Sequence, residues 1–171
     1  MRNIPIYDKT AEYAIEHNEI AEYKASNKAN IACKQAVTEA INKNYRDYIC
    51  DTDTALKELK ENFSLERIAV VTAVTIRPKD WDLRYSQKNK EWAKSFPFPD
   101  NIDEWGRNRN VNFSLTQVHP GLVNLFADSV RKELDLEKTA PTKKPSLLEK
   151  LNKPLPDKKS AETKADRLEE R

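Results

Sequence analysis

Glycine is nearly absent from this chain. Only Gly106 and Gly121 occur in 171 residues, where average usage of about 7% would supply roughly a dozen. That excludes glycine-built phosphate loops, because each needs several positions without a Cβ for the backbone to approach a phosphate. Long hydrophobic runs are missing as well. The longest uncharged apolar-rich stretch, Ile68 to Ile76, has nine residues, well short of the roughly 18 that cross a bilayer. Neither sign of charge dominates, since 30 Lys+Arg against 28 Asp+Glu leave +2. Such a balance provides neither the cationic field of a non-specific nucleic-acid binder nor the acidity of a duplex mimic.

Metal-ligand and nucleophile chemistry is equally thin. The chain has two cysteines and two histidines. A zinc site would have to recruit all four of His17, Cys33, Cys50 and His119, and none are spaced as CxxC or HxxxH, so tertiary folding alone would have to assemble it. The simpler reading makes Cys33 a small core residue and the histidines surface groups. Pairing Cys50 with His119 as a nucleophile and base has no local support either. Among the carboxylate pairs Asp51/Asp53, Asp80/Asp82 and Glu12/Glu16, Asp51 suits a helix cap, Asp53 a helix N-terminus and Glu12/Glu16 a solvated face; a nuclease site would need a further acid and a lysine converging on them. The expectation is a non-enzyme with no cofactor, no metal and no membrane partner. With no signal-peptide pattern at its start, it is expected in the cytoplasm with reduced thiols.

What the sequence does contain changes character near residue 137. Aromatic residues stop there, and Pro141, Pro145, Pro154 and Pro156 enter among lysines. Residues 137–171 hold ten Lys+Arg and seven Asp+Glu, a net of +3, which leaves 20 minus 21, or −1, for residues 1–136. The reading is therefore a helical domain over 1–136 and a Pro/Lys-rich tail over 137–171. A tail without aromatic residues buries too little to offset an ordering cost of about 1–2 kcal/mol per residue, so it is expected to be disordered or partly helical. Within it, Pro145, Ser146, Leu147, Leu148 and Leu151 could form a short amphipathic turn that docks on a partner.

In the body, apolar spacing is mostly helical. Asp8–Ser26 reads as helix with a break near His17-Asn18. From Asn27 to Tyr45, Ala29, Ala32, Cys33, Ala36, Val37, Ala40 and Ile41 recur at i, i+3, i+4, i+7, giving one stripe about 100° wide. Small residues there let a neighbour approach closely, so this Ala-rich helix is expected at the centre. Asp51 can cap a helix through Phe63, and Ser64 another from Leu65 to Arg77, where Pro78 stops it. The β-branched run Ala69–Ile76 also fits a buried strand; Ser64 and Glu66 favour helix. Ser86 caps a short helix through Trp92. Between Pro97 and His119 the chain looks irregular, with one short strand where Val111, Phe113 and Leu115 alternate with polar residues. Pro120 opens the last body helix, with Leu122, Val123, Phe126, Val130 and Leu134 on one face. The fold class is mainly α, a helical domain with at most one short strand region.

Recognition chemistry is densest between Arg77 and Trp92, where two tryptophans, two arginines and three lysines fall within sixteen residues. Trp and Arg dominate interface hot spots, and the same mixture can stack on and neutralise nucleic acid. Trp81, Arg84, Lys88 and Lys90 are the candidate contacts, with Arg107 and Arg109 beside Trp105 and Gly106 as a second group. Trp81 and Trp92 equally suit a core, with Arg84 paired to Asp80 or Asp82.

The blocks Glu22-Tyr23-Lys-Ala-Ser26, Asn30-Ile-Ala-Cys33-Lys, Arg67 before the apolar run, Trp81-Asp82-Leu-Arg84-Tyr-Ser86 through Trp92-Ala93-Lys, and His119-Pro-Gly-Leu122-Val-Asn-Leu-Phe126 resemble a bacterial family of domains of unknown function from Firmicutes phages and integrative elements. The resemblance spans about residues 7–134. It departs after the Trp-Asp pair, where Leu83 stands in place of an expected glycine. It also agrees with helix for 65–77. The family brings no catalytic residues. Its setting implies an anti-CRISPR role: a protein-binding inhibitor of a Cas9-type nuclease in a bacterial host, acting on the protein or its guide-RNA complex. A nucleic-acid-binding accessory protein of a mobile element is the alternative, and a homo-oligomer is open to either.

Overall fold

The computed structural model describes residues 1–140. The sequence expectations for the remaining tail, including the Pro145–Leu151 turn, lie outside the described residues. Thr10 starts the first helix, α1 (Ala11–Glu16), by accepting from Tyr13 N. Asn18, at φ 58°, then breaks the chain where the break was expected. The next helix, α2 (Ile20–Lys43), runs 24 residues without interruption, so the segments on either side of Ser26 are one element. Its stripe of Ala29, Cys33, Val37, Ala40 and Ile41 is buried, as the spacing requires.

Asp51 accepts from Thr54 N at 3.0 Å and opens α3 (Thr52–Asn62). Ser64 does the same for α4 (Leu65–Ile76), accepting from Arg67 N at 3.2 Å. Every α4 residue but Glu66 is buried, which explains why its sequence has no polar face and mimics a strand. Thr72 and Thr75 fit inside this helix because each hydroxyl donates to a carbonyl four residues back, both at 2.8 Å. Ser86 caps α5 (Gln87–Ser95), and Pro120 opens α6 (Pro120–Thr139). Helix α2 packs on α1, α3 and α4, and α4 on α2 and α5. Through Val123, Phe126, Ala127 and Val130, α6 adds to the same core.

The position of the short strand is corrected. The alternating stretch at Val111–Leu115 is not a strand: Arg109–Phe113 is a 3₁₀ turn. Val111 N donates to Asn108 O and Ser114 N to Val111 O, both at 3.3 Å, and Thr75 Oγ1 accepts from Leu115 N at 2.8 Å, so local and tertiary partners claim the backbone that a ladder would use. Strand pairing occurs instead between β1 (Tyr45–Arg46) and β2 (Ile49–Cys50), antiparallel with Tyr45 opposite Cys50. Asp47 and Tyr48 join them at φ 52° and 65°, the two-residue geometry that favours Asn-Gly. Tyr48 is 94% exposed and carries a Cβ in left-handed backbone. Tyr48→Gly is therefore expected to stabilise the domain by roughly 0.5–1 kcal/mol, read as a higher midpoint in urea.

Candidate functional site

The segment after α4 is a braced turn. Successive bonds Lys79 N to Ile76 O, Asp82 N to Lys79 O and Tyr85 N to Asp82 O, at 2.8, 3.1 and 3.2 Å, fold it back on itself. Asp82, buried, accepts from Arg84 N at 3.0 Å, Nε at 2.9 Å and a terminal guanidinium nitrogen at 2.8 Å. The Arg84 guanidinium holds that carboxyl down to about 2. Tyr85 also points inward, and burial pushes its hydroxyl up to about 12. With Asp82 and Tyr85 inward, Trp81 and Leu83 face out, 70% and 94% exposed. Lys79 Nζ lies 5.5 Å from the Trp81 ring centre, within cation–π range. Leu83, where a glycine was expected, sits at no left-handed φ; the turn forms without one.

Asp82 makes the turn pH-sensitive in a defined direction. Its pKa in the fold lies below its ordinary 3.8, so its stabilising contribution is full above that value and is lost as pH falls through about 2. The gap in denaturation midpoint between the native chain and Asp82→Asn should hold steady from neutral pH to about 5 and close as pH approaches 2.

A second turn follows the same plan. Asp103 accepts from Trp105 N, Arg107 N and Arg107 Nε at 3.0, 2.9 and 3.1 Å, and these donors, the Arg107 amide foremost, lower its pKa. Gly106 supplies the φ of +75° that the bend needs. Trp105 is left 75% exposed. The two turns share a root: Arg77 and Asn108 both donate to Asp100 Oδ1 at 3.2 Å.

The sequence-predicted contacts are thus distributed unequally. Trp81 is displayed, and Arg84 is bound to the carboxylate beneath it. Lys90 is buried, its ammonium donating to Asp80 O at 2.8 Å, so it does not join the exposed set. Lys88 is exposed on α5, at the edge of a separate groove of about 820 Å³ between α4, α5 and α6. Arg107 is clamped by Asp103, while the exposed Arg109 begins the 3₁₀ turn with its amide on Asn101 O at 2.8 Å. Sequence reasoning noted Leu83 only as standing in place of a glycine and gave it no contact role, and it did not name the groove aromatics Phe96 and Phe98. The alternation of Asp82 and Tyr85 with Trp81 and Leu83 was the available signal for Leu83.

The four low-count residues stay apart. His17 stacks on Tyr13, ring centres 3.7 Å apart. His119 Nδ1 accepts from Gly121 N at 3.0 Å beside the start of α6. Cys33 lies in the core, where burial pushes its thiol up to about 12, and Cys50 sits on β2 with its Sγ 3.9 Å from Ile41 O. Among the described residues, no three His, Cys, Asp or Glu side chains gather as metal ligands. No helix among them is long and apolar enough to cross a membrane.

Fold and site together define a mainly helical domain that displays tryptophans on two Asp-braced turns. The chain belongs to the family described as Protein of unknown function (DUF3849), whose model matches residues 6–135. No curated protein and no solved structure matches it.

Proposed function

We propose that this protein is a non-catalytic, protein-binding inhibitor of a Cas9-type nuclease, encoded by a phage or mobile element and acting in the bacterial cytoplasm. The observation that carries the binding role is the exposed Trp81–Leu83 pair on a turn whose shape is set by Asp82 and Arg84. A rigid aromatic anchor loses little side-chain entropy on docking and buries a large area, which is what a hot spot needs. The nuclease as target rests on the family resemblance.

The arrangement of cations favours a protein over nucleic acid. Arg84 and Arg107 are each neutralised by a carboxylate within their own turn, and Lys90 is buried. Phosphate-driven binding gains from cations that release counterions, and these three have little to offer. Occupying an interface between nuclease domains, the inhibitor would prevent DNA loading or the rearrangement that licenses cleavage. Titration into a cleavage reaction with preassembled guide complex tests this: inhibition without a shift of free DNA is expected. No inhibition, together with a salt-sensitive DNA shift, would instead select the accessory-protein reading.

A further inference from the structure

The groove between α4, α5 and α6 is chemically unlike the Trp81 turn. Its floor is apolar, with Trp92 and Phe96 at 5.5 Å between ring centres and Phe98, Val70 and Leu134 around them. Two helices line it in register: α5 contributes Lys88, Glu91, Trp92 and Ser95, and α6 contributes Arg131, Leu134, Asp135 and Lys138. Both sets follow i, i+3, i+4, i+7, so the walls are two helical stripes with a trough between them. A third helix is the shape that fits such a trough.

Charge specifies which helix. Glu66 enters from α4 one turn before Val70, and Glu91 stands beside Trp92 on α5, accepting among the described residues only a neutral amide bond from Gln87 at 2.9 Å. Asp8 of the N-terminal segment lines the same groove. Among the cations, Arg131 is already engaged, with Asp128 at 2.9 Å and Asn89 Oδ1 at 2.6 Å. Lys88 and Lys138 are exposed side chains, free to turn toward solvent. Carboxylates beside aromatic faces favour ligand cations twice over, by ion pairing and by the ring quadrupole.

We propose that this groove receives a basic amphipathic helix of a protein partner, its apolar face on Trp92, Phe96 and Phe98 and its Lys or Arg side chains beside Glu66 and Glu91. This rests on the reading of the chain as a protein binder, and not on the nuclease being that partner. The chain has three tryptophans, so Trp81→Phe with Trp105→Phe leaves Trp92 as the sole reporter. Three synthetic peptides of about 18 residues, long enough for a marginal helix, serve as probes: an amphipathic Leu/Lys helix, its scrambled counterpart and a Leu/Glu version.

The Leu/Lys helix is expected to change Trp92 emission saturably, with affinity at least about tenfold above the other two. Glu66→Lys with Glu91→Lys should remove that preference, and Glu66→Gln with Glu91→Gln should weaken it if the reversed pair does not fold. Equal response to the scrambled or Leu/Glu peptide, no response to any, or binding unchanged in the folded charge variants would each overturn the proposal. Peptide binding without nuclease inhibition would leave the groove standing and remove only the nuclease; inhibition without peptide binding would do the reverse.

Discussion

Arg67→Ala is expected to destabilise the domain by about 3–5 kcal/mol, among the largest losses available to a single substitution here. Arg67 is 1% exposed at the start of α4, yet among the described residues no carboxylate meets it. Its guanidinium donates to Ser26 O at 3.0 Å, to Ile4 O at 2.8 Å, to Pro5 O at 3.1 Å and to Asn30 Oδ1. Burial lowers its pKa, but a guanidinium stays charged in proteins, so neutral acceptors carry the whole task of solvating it. Truncation would strand those acceptors, each at a cost of about 1–3 kcal/mol where water cannot replace the donor. Lysine, with a single ammonium, cannot span acceptors on α2 and on the N-terminal segment together. Urea denaturation reads the loss. Hydrogen exchange should show residues 4–7 opening first, since Arg67 and the bond from Tyr7 N to Ser26 Oγ at 2.9 Å tie them to α2.

The second large effect falls on binding and leaves the fold intact. Trp81→Ala should change stability by less than about 0.5 kcal/mol, because a ring 70% exposed gives up little buried area. Inhibition should nevertheless weaken about 30-fold or more, the scale of a hot-spot truncation near 2 kcal/mol. Leu83→Ala should add to it, being more exposed still. Urea midpoints and inhibition curves on the same preparations separate the two effects.

What was legible beforehand follows how local each cause is. Asp51, Ser64 and Ser86 cap their own helices within three residues, so their helices could be read from single side chains. Ser64, with Glu66 and the family resemblance, tipped α4 toward helix against its strand-like composition, and the structure shows the helix. The Val111–Leu115 strand failed because the competing partner, Thr75, lies 40 residues away. Lys90 illustrates the same limit for the site: its charge was plain, but its direction depends on Asp80 O on the preceding turn. Arg67 appeared only as one position in a family pattern, and nothing in its neighbours announced that Ile4, Pro5, Ser26 and Asn30 would converge on it. The groove joins residues from 6 to 138, and no window of sequence contains it.

On the proposed reading, this domain recognises a protein surface through Trp81. That reading is tested most directly by measuring affinity for guide-loaded Cas9-type nuclease at low and high salt, with native chain and Trp81→Ala side by side. Binding is expected to change little with salt and to fall about 30-fold with the substitution. Binding that collapses with salt and ignores the loss of Trp81 would contradict it.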